Sequence, residues 1–232
     1  MSNLLEVNNV YKSIKGREIL RGVNFNLERG KVLGIMGPNG QGKTTLLNTI
    51  EGFLKIDSGE IKLEENNISN ITKAQISYLQ DMNIFNRSMK IKDAINLYSD
   101  FFEDFDREKM NYYLEFMNLD KNFKIKNLSK GMMEKFNLSL TLSRKAKLFL
   151  LDEPISGVDP VSREKILDAI LENLSEDSSM IITTHYIGEL ERIFDEVLFL
   201  GDGKVIESGD AEDLRAKYQA SIDEIYRKIF AE

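Results

Sequence analysis

A glycine-rich loop near the N-terminus constrains the fold of this chain more than any other part of its sequence. The loop reads GPNGQGKTT over residues 37–45 and follows a short apolar run, residues 32–36, that is typical of a buried strand. Beyond the loop, Leu46 and Ile50 recur at helical spacing, and Gly52 is a common type of residue at the end of a helix. The sequence therefore predicts a strand, a glycine loop and a helix in direct succession.

The loop fits the pattern G-x-x-x-x-G-K-[ST] of phosphate-binding loops through Gly37, Gly42, Lys43 and Thr44. At the start of such a helix, unpaired backbone N–H groups and the positive end of the helix dipole face the phosphates. We expect Lys43 to reach the β and γ phosphates and the Thr44 hydroxyl to bind Mg²⁺. A glycine-rich turn without a ligand is the alternative. The candidate binding residues of the loop are Gly37, Pro38, Asn39, Gly40, Gln41, Gly42, Lys43, Thr44 and Thr45.

Strand and helix patterns elsewhere in the chain indicate an α/β fold. Two apolar runs, residues 148–151 and 180–184, flank a helical pattern over residues 162–174, and this order implies a parallel sheet. Short strands are also predicted at residues 5–10 and 23–27.

The remaining patterns divide the chain into parts of one domain. Apolar and polar residues alternate enough over residues 59–79 to suggest further strands. Asp202-Gly203 is a two-residue signal for a hairpin turn. Apolar residues between 91 and 117 recur at helical spacing. The predicted organisation is a single domain, 1–232, with a core (1–80 and 147–210), a mostly helical insertion (81–146) and a C-terminal helix (211–232).

Composition excludes several classes of protein. The net charge of −7 argues against a nucleic-acid partner, since phosphate backbones are bound by clustered Lys and Arg. The absence of Cys excludes disulfides and thiolate metal sites. No apolar run approaches the roughly 20 residues that cross a bilayer, and the N-terminus shows no secretion signal. We therefore expect no membrane span and residence in the cytoplasm.

Five further motifs follow the loop: Gln80 in SYLQD, LSKGM at 128–132, LFLLDEP at 148–154, SGVDP at 156–160, and His185. In this order they resemble the motifs of the nucleotide-binding subunits of ATP-binding-cassette (ABC) transporters, and the resemblance covers nearly the whole chain. It implies a phosphate-loop ATPase with a mixed sheet, an antiparallel N-terminal β part and an inserted helical subdomain that carries LSKGM.

The resemblance also implies roles in ATP hydrolysis. Asp152 would hold Mg²⁺, together with Thr44 and Gln80, while Glu153 would act as general base on the attacking water. His185 would contact the γ phosphate and orient that water, so Glu153, His185, Lys43 and Gln80 are the catalytic candidates. Taken alone, an Asp-Glu pair after a strand is usually a solvated loop, and a lone histidine there is usually structural.

LSKGM resembles the family signature LSGGQ, with Ser129 and Gly131 retained and Lys130 and Met132 in place of Gly and Gln. The resemblance implies that Ser129 and Gly131 bind the γ phosphate of ATP held by an opposite subunit. Asp159 would then line the shared interface. A simple helix cap by Ser129 is the alternative, and both can be true.

The partners implied by the resemblance are membrane-spanning transporter subunits and a second nucleotide-binding subunit, identical or different. The chain would then act as a peripheral protein at the cytoplasmic face of the cell membrane. LSKGM, SGVDPVSR and DFFEDFDRE look most like bacterial subunits that export drugs, peptides or lantibiotics. The alternatives are an importer, a cassette ATPase outside transport, and a regulatory nucleotide-binding module.

One departure from the family pattern predicts weak discrimination between bases. Ile14 stands where an aromatic residue normally stacks on adenine, and Tyr11, three residues earlier, is the alternative stacking residue. We expect comparable dissociation constants for ATP and GTP, measured by calorimetry with both nucleotides. A strong preference for ATP would contradict this expectation.

Overall fold

The computed structural model of the chain describes residues 3–80 and 85–231. Within these ranges the strands are β1 (Asn3–Ile14), β2 (Arg17–Glu28), β3 (Val32–Met36), β4 (Ser58–Leu63), β5 (Asn66–Asn67), β6 (Ile76–Leu79), β7 (Leu148–Asp152), β8 (Ser179–Thr183), β9 (Glu196–Gly201) and β10 (Lys204–Asp210). The α-helices are α1 (Lys43–Ile50), α2 (Asn70–Lys73), α3 (Ile91–Phe101), α4 (Arg107–Phe116), α5 (Lys130–Leu142), α6 (Pro160–Glu172), α7 (Ile187–Leu190), α8 (Ala211–Tyr218) and α9 (Ile222–Phe230). Short 3₁₀ helices lie at Ile125–Asn127 and Glu191–Ile193.

The strands form two sheets of different character. The larger sheet is six-stranded, with the order β10-β9-β3-β8-β7-β6, and it is parallel except for the pair of β10 and β9. The smaller sheet, β2-β1-β4-β5, is antiparallel throughout. Asp202 and Gly203, both with positive φ, form the predicted tight turn between β9 and β10. The predicted mixed α/β fold is therefore confirmed.

Continuous apolar strands lie at the centre of the larger sheet. Every residue of β3, β7 and β8 is buried, as expected for parallel strands that are covered on both faces. One covering layer consists of α1, through Leu46 and Ile50, and of the smaller sheet, through residues such as Leu5 and Leu27. The helix that follows the glycine loop is thus fixed between the two sheets.

The helical part, residues 85–146, packs on the other face of the larger sheet. Phe136 of α5 and Tyr113 of α4 are buried in one apolar cluster with Phe149 of β7 and Phe199 of β9. The Tyr113 hydroxyl also donates to the Ala169 carbonyl of α6 at 3.4 Å. The helical part and the central sheet therefore share a hydrophobic core.

Three elements differ from the sequence predictions. The helical spacing from 91 to 117 is divided between α3 and α4, because Asp106 caps α4 by accepting from Glu108 and Lys109 N–H. The segment 211–232, predicted as one helix, forms two, because Gln219 adopts a left-handed conformation and Ser221 starts a new capping box with Glu224. Between β4 and β6 lie the short β5 and α2 as well as the predicted strand structure. The first residues of the predicted insertion, 81–84, lie outside the described ranges.

None of the helices in the described ranges is both long and apolar enough for a bilayer crossing.

We expect Phe136→Ala to lower the free energy of unfolding by about 3–5 kcal/mol, because it leaves a cavity in the shared core. Chemical denaturation measures this change. The control is Phe101→Ala, which alters a side chain that is 74% exposed and should change the unfolding free energy by less than about 0.5 kcal/mol. Equal effects of the two substitutions would contradict the packing described above.

Candidate functional site

The glycine loop connects β3 to α1 and is held close to β9. A Cβ atom on Gly37 would lie 2.1 Å from the Leu200 carbonyl oxygen, so only glycine allows this approach. Gly42, at φ 104°, is the residue directly before α1 and adopts a conformation that other residues rarely reach. The Gln41 side chain accepts a hydrogen bond from the Asp202 N–H at 2.6 Å, which attaches the loop to the β9–β10 turn. Gln41 therefore has a structural contact in addition to its predicted binding role.

Lys43 begins α1 and turns its side chain back over the loop. Its ammonium group donates to the carbonyl oxygens of Gly37 at 2.6 Å and of Pro38 at 3.3 Å. Burial lowers the pKa of Lys43, and the nearby carboxylates of Glu153 and Asp152 partly oppose that shift. These carboxylates favour the charged form, which is the form that attracts a phosphate.

Asp152, the last residue of β7, is fixed by two threonine hydroxyls. Thr44 donates to Asp152 Oδ2 at 2.7 Å, and Thr183 donates to Asp152 Oδ1 at 2.5 Å. Asp152 and Thr183 are direct neighbours in the parallel register of β7 and β8. Sequence analysis missed Thr183, although the register of the two predicted strands would have identified it.

Glu153 and His185 form a hydrogen-bonded pair at the same edge of the sheet. The His185 Nδ1 atom lies 2.7 Å from Glu153 Oε2, and the His185 backbone N–H donates to the same oxygen at 3.2 Å. Glu153 has a φ of 52°, an unusual conformation for a residue with a side chain, and its N–H donates to the Thr183 carbonyl at 3.1 Å. The structure thus brings together two of the predicted catalytic candidates.

Gln80 and Ser129 line a cleft beside Asp152 and Glu153. This cleft of about 360 Å³ lies between the central sheet and the helical part, and Asp152 and Glu153 also border it. Ser129 caps α5 by accepting from the Met132 N–H at 3.2 Å, which confirms the helix-cap interpretation. Its binding role towards an opposite subunit stays a prediction.

Asp159 caps α6 and lies outside the pocket next to the glycine loop. It accepts from the Ser162 N–H at 3.1 Å and from the Ser162 hydroxyl at 2.5 Å. These hydrogen bonds lower the pKa of Asp159. Gly131 packs near the loop that precedes α6, since a Cβ atom on Gly131 would lie 3.4 Å from the Val158 side chain. Within one subunit, Asp159 and Gly131 are therefore separate from the phosphate-loop pocket.

The pocket at the glycine loop, about 250 Å³, is lined by loop residues, by Asp152 and Glu153, and by Ile19. Neither Tyr11 nor Ile14 is among its lining residues. The Tyr11 hydroxyl instead lies beside Gly22 on the smaller sheet. Ile19 was missed by sequence analysis because its contact with the loop depends on how β2 packs against α1.

Comparison with known proteins assigns the chain to a family. A family model described as ABC transporter matches residues 20–156, which is more than half of the chain. The chain belongs to the ABC transporter family. The ABC transporter ATP-binding protein YtrB of Bacillus subtilis (strain 168) is 29% identical to it over 93% of this chain and 75% of YtrB. The phosphonates import ATP-binding protein PhnC of Fusobacterium nucleatum subsp. nucleatum is 28% identical over 95% of this chain and 100% of PhnC.

A solved ABC structure agrees with the fold and the activity. The ADP conformation of MJ1267, an ATP-binding cassette of an ABC transporter, aligns with a TM-score of 0.79 at 25% identity, over 97% of this chain and 99% of that one. The predictions of an ATP-binding ABC subunit and of ATPase activity are confirmed. The individual roles of the site residues stay predictions.

We expect Gly37→Ala to weaken nucleotide binding by at least about tenfold, or about 1.4 kcal/mol, because the new methyl group would displace the loop from Leu200. Titration with a fluorescent ATP analogue measures this affinity. Gly188→Ala is the matched control, since a Cβ atom on Gly188 meets nothing within 4 Å. Unchanged affinity in the Gly37 variant would contradict the close approach of the loop to β9.

Proposed function

We propose that this ABC subunit hydrolyses ATP at the edge formed by β3, β7 and β8 and thereby drives transport through separate membrane-spanning subunits. The observation that carries the proposal is the Glu153–His185 pair, which lies beside Asp152 and the phosphate loop. A carboxylate held next to a phosphate site has the position that a general base for water requires.

Binding of the triphosphate would use the loop and the start of α1. Backbone N–H groups there carry the positive end of the helix dipole, and Lys43 adds a full charge. Lys43 would exchange its contacts with the Gly37 and Pro38 carbonyls for contacts with the phosphates. The small size of the glycines allows the backbone to come close to those oxygens.

Thr44 and Asp152 fit the requirements of a bound Mg²⁺. Their side-chain oxygens are 2.7 Å apart, and Mg²⁺ is usually held by one or two protein oxygens together with phosphates and water. No cluster of three or more His, Asp or Glu side chains suited to a metal ion occurs in residues 3–80 and 85–231, so nucleotide phosphates would supply the other ligands. When bound, Mg²⁺ would neutralise charge on the phosphates. Gln80 would approach the Mg²⁺ from the neighbouring cleft, which Asp152 and Glu153 also border.

Hydrolysis would transfer a proton from water to Glu153. The water oxygen forms a bond to the γ phosphorus, the bond between that phosphorus and the bridging oxygen breaks, and ADP leaves with the electron pair. His185 holds Oε2 of Glu153, which orients the carboxylate, and the imidazole would contact the γ phosphate of bound ATP. Lys43 stabilises the charge that develops on the departing oxygens.

A complete site would need two subunits. Ser129 and Gly131 begin α5 and do not line the phosphate-loop pocket of their own chain. A helix start with free N–H groups is suited to a phosphate of a second molecule. We therefore assign Ser129, Gly131 and Asp159 to an interface in which two nucleotide-binding subunits, identical or different, close head to tail over two ATP molecules.

The membrane-spanning partner would bind at the groove beside Gln80. Phe101 is 74% exposed and lines this groove, while Ile71 of α2, 77% exposed, lies next to lining residues. Exposed apolar surface of this kind suits a partner segment that brings apolar side chains. The binding would place the subunit at the cytoplasmic face of the membrane.

The direction of transport is proposed to be export. The support is the resemblance of LSKGM, SGVDPVSR and DFFEDFDRE to the motifs of bacterial drug, peptide or lantibiotic exporters. PhnC is named as an import protein, so likeness to relatives alone does not decide the direction.

We expect Glu153→Gln to lower the turnover number about 10²- to 10⁴-fold, because the amide cannot accept the proton of water. ATP affinity should stay within about twofold of the wild-type value, since the phosphate loop is unchanged. Phosphate release and nucleotide titration measure the two quantities. Wild-type hydrolysis by this variant would remove Glu153 from its proposed role.

The same variant tests the shared site. With ATP bound and no turnover, Glu153→Gln should accumulate as a dimer in light scattering, and the specific activity of the wild type should rise with protein concentration. A monomeric variant together with concentration-independent activity would contradict the two-subunit site.

A further inference from the structure

Arg163 connects two loops that the proposed mechanism treats separately. It lies in the second turn of α6, and its side chain is only 18% exposed. Its Nε atom donates to the Val158 carbonyl at 3.1 Å, and its Nη1 atom donates to Glu189 of α7. Its guanidinium carbon also lies 4.3 Å from the ring centroid of Tyr186. One side chain thus contacts the loop before α6 and the segment that carries His185.

Tyr186 lies between Arg163 and the catalytic pair. The ring centroids of His185 and Tyr186 are 4.0 Å apart, with an interplanar angle of 41°. The Tyr186 N–H donates to the Thr184 hydroxyl at 2.9 Å, which restrains the backbone on that side. His185 in turn contacts Glu153 through both Nδ1 and its backbone N–H. A continuous series of contacts therefore runs from Val158 to Glu153.

The other side of the loop at residues 156–159 rests on the start of α5. A Cβ atom on Gly157 would lie 2.8 Å from the Lys130 ammonium nitrogen, and one on Gly131 would lie 3.4 Å from Val158. The LSKGM segment is therefore in contact with the loop at residues 156–159, to which Arg163 is hydrogen-bonded through the Val158 carbonyl.

We propose that Arg163 is a positioning residue for ATP hydrolysis, which fixes His185 through the Tyr186 ring and links its position to the loop at residues 156–159. The inference rests on the proposed function, because it assumes that Glu153 and His185 carry the hydrolysis. Arg163 is not among the residues that line the phosphate-loop pocket. It should therefore act on turnover and leave nucleotide binding unchanged.

The chemistry of arginine suits this role better than that of lysine. A planar guanidinium can lie flat on an aromatic ring and still donate from its edge in two directions. A lysine ammonium keeps the charge over the ring but cannot reproduce the donors to Val158 and Glu189 together. Arg163→Lys should therefore rescue only part of the function that Arg163→Ala loses.

The first test separates turnover from binding. We expect Arg163→Ala to lower the turnover number of the full chain about tenfold, with ATP affinity within about twofold of wild type. The turnover number of Arg163→Lys should lie between those of Arg163→Ala and the wild type. Lys165→Ala is the matched control: it lies on the same helix, and its ammonium nitrogen is 5.8 Å from the Phe116 ring centroid. The control should retain wild-type turnover and affinity within about twofold.

The second test asks whether Arg163 acts through Tyr186. We expect Tyr186→Ala to lower turnover to a similar extent, and the double variant with Arg163→Ala to be no worse than the more impaired single variant. Tyr186→Phe, which keeps the ring, should retain turnover within about twofold. Multiplicative losses in the double variant would mean that the two side chains act independently, and would overturn the inference.

The third test observes His185 directly. It is the only histidine in the chain, so the imidazole resonances of protein without a histidine tag report this residue alone. We expect Arg163→Ala to shift and broaden them and Lys165→Ala to leave them in place. If the Arg163→Ala protein does not fold, the Arg163→Lys and Tyr186→Ala variants supply the same comparison.

The outcomes distinguish this inference from the proposed function. If Glu153→Gln is inactive while the Arg163 and Tyr186 variants hydrolyse ATP as the wild type does, only the role of Arg163 is wrong. If Glu153→Gln hydrolyses ATP normally, the proposed function fails whatever Arg163 does. Equal losses of turnover and affinity in Arg163→Ala would indicate a general structural role and would also overturn the inference.

Discussion

The parallel register of β3, β8 and β7 is the constraint on which the site depends. Ile35 lies opposite Thr183, and Thr183 lies opposite Asp152, so the carboxyl ends of the three strands meet at one edge. Asp152 is the last residue of β7, and the glycine loop, Glu153 and His185 follow the strand ends closely. Because side chains alternate along a strand, a slip of one residue would turn Asp152 or Thr183 to the other face of the sheet. Burial of all three strands makes such a slip costly.

The site also contains a local departure from favourable backbone geometry. Glu153 has a left-handed conformation, which costs a residue with a side chain about 1–2 kcal/mol. Two contacts stabilise that conformation. The Glu153 N–H donates to Thr183, and the Glu153 carboxylate is hydrogen-bonded to His185. The unusual φ directs Glu153 away from the course of β7, so that adjacent carboxylates, Asp152 and Glu153, have different surroundings. Asp152 is fixed by hydroxyl groups and Glu153 by an imidazole.

Local sequence signals predicted much of this arrangement. They did not predict the side-chain contacts between segments that are distant in the chain. The glycine loop, β7 and the turn at Asp202 have short, strong patterns, and the structure contains each of them. The C-terminal segment was predicted as one helix because apolar spacing continues across Gln219, whose left-handed conformation ends α8. Thr183, Ile19 and Arg163 act mainly through neighbours far away in the chain. Thr183 could have been found by pairing the two predicted strands, whereas the contacts of Ile19 and Arg163 depend on how β2 and α6 pack, which the sequence pattern does not specify.

Two contacts hold the glycine loop in place: the close approach of Gly37 to Leu200 and the hydrogen bond from the Asp202 N–H to Gln41. A loop restrained in this way is preorganised, so an incoming triphosphate does not have to order the backbone that receives it. The conformational entropy lost on association is correspondingly small, and more of the interaction energy contributes to affinity. The loop is thus a preformed receptor for the phosphates, and its shape is set by β9 and the β9–β10 turn before any nucleotide arrives.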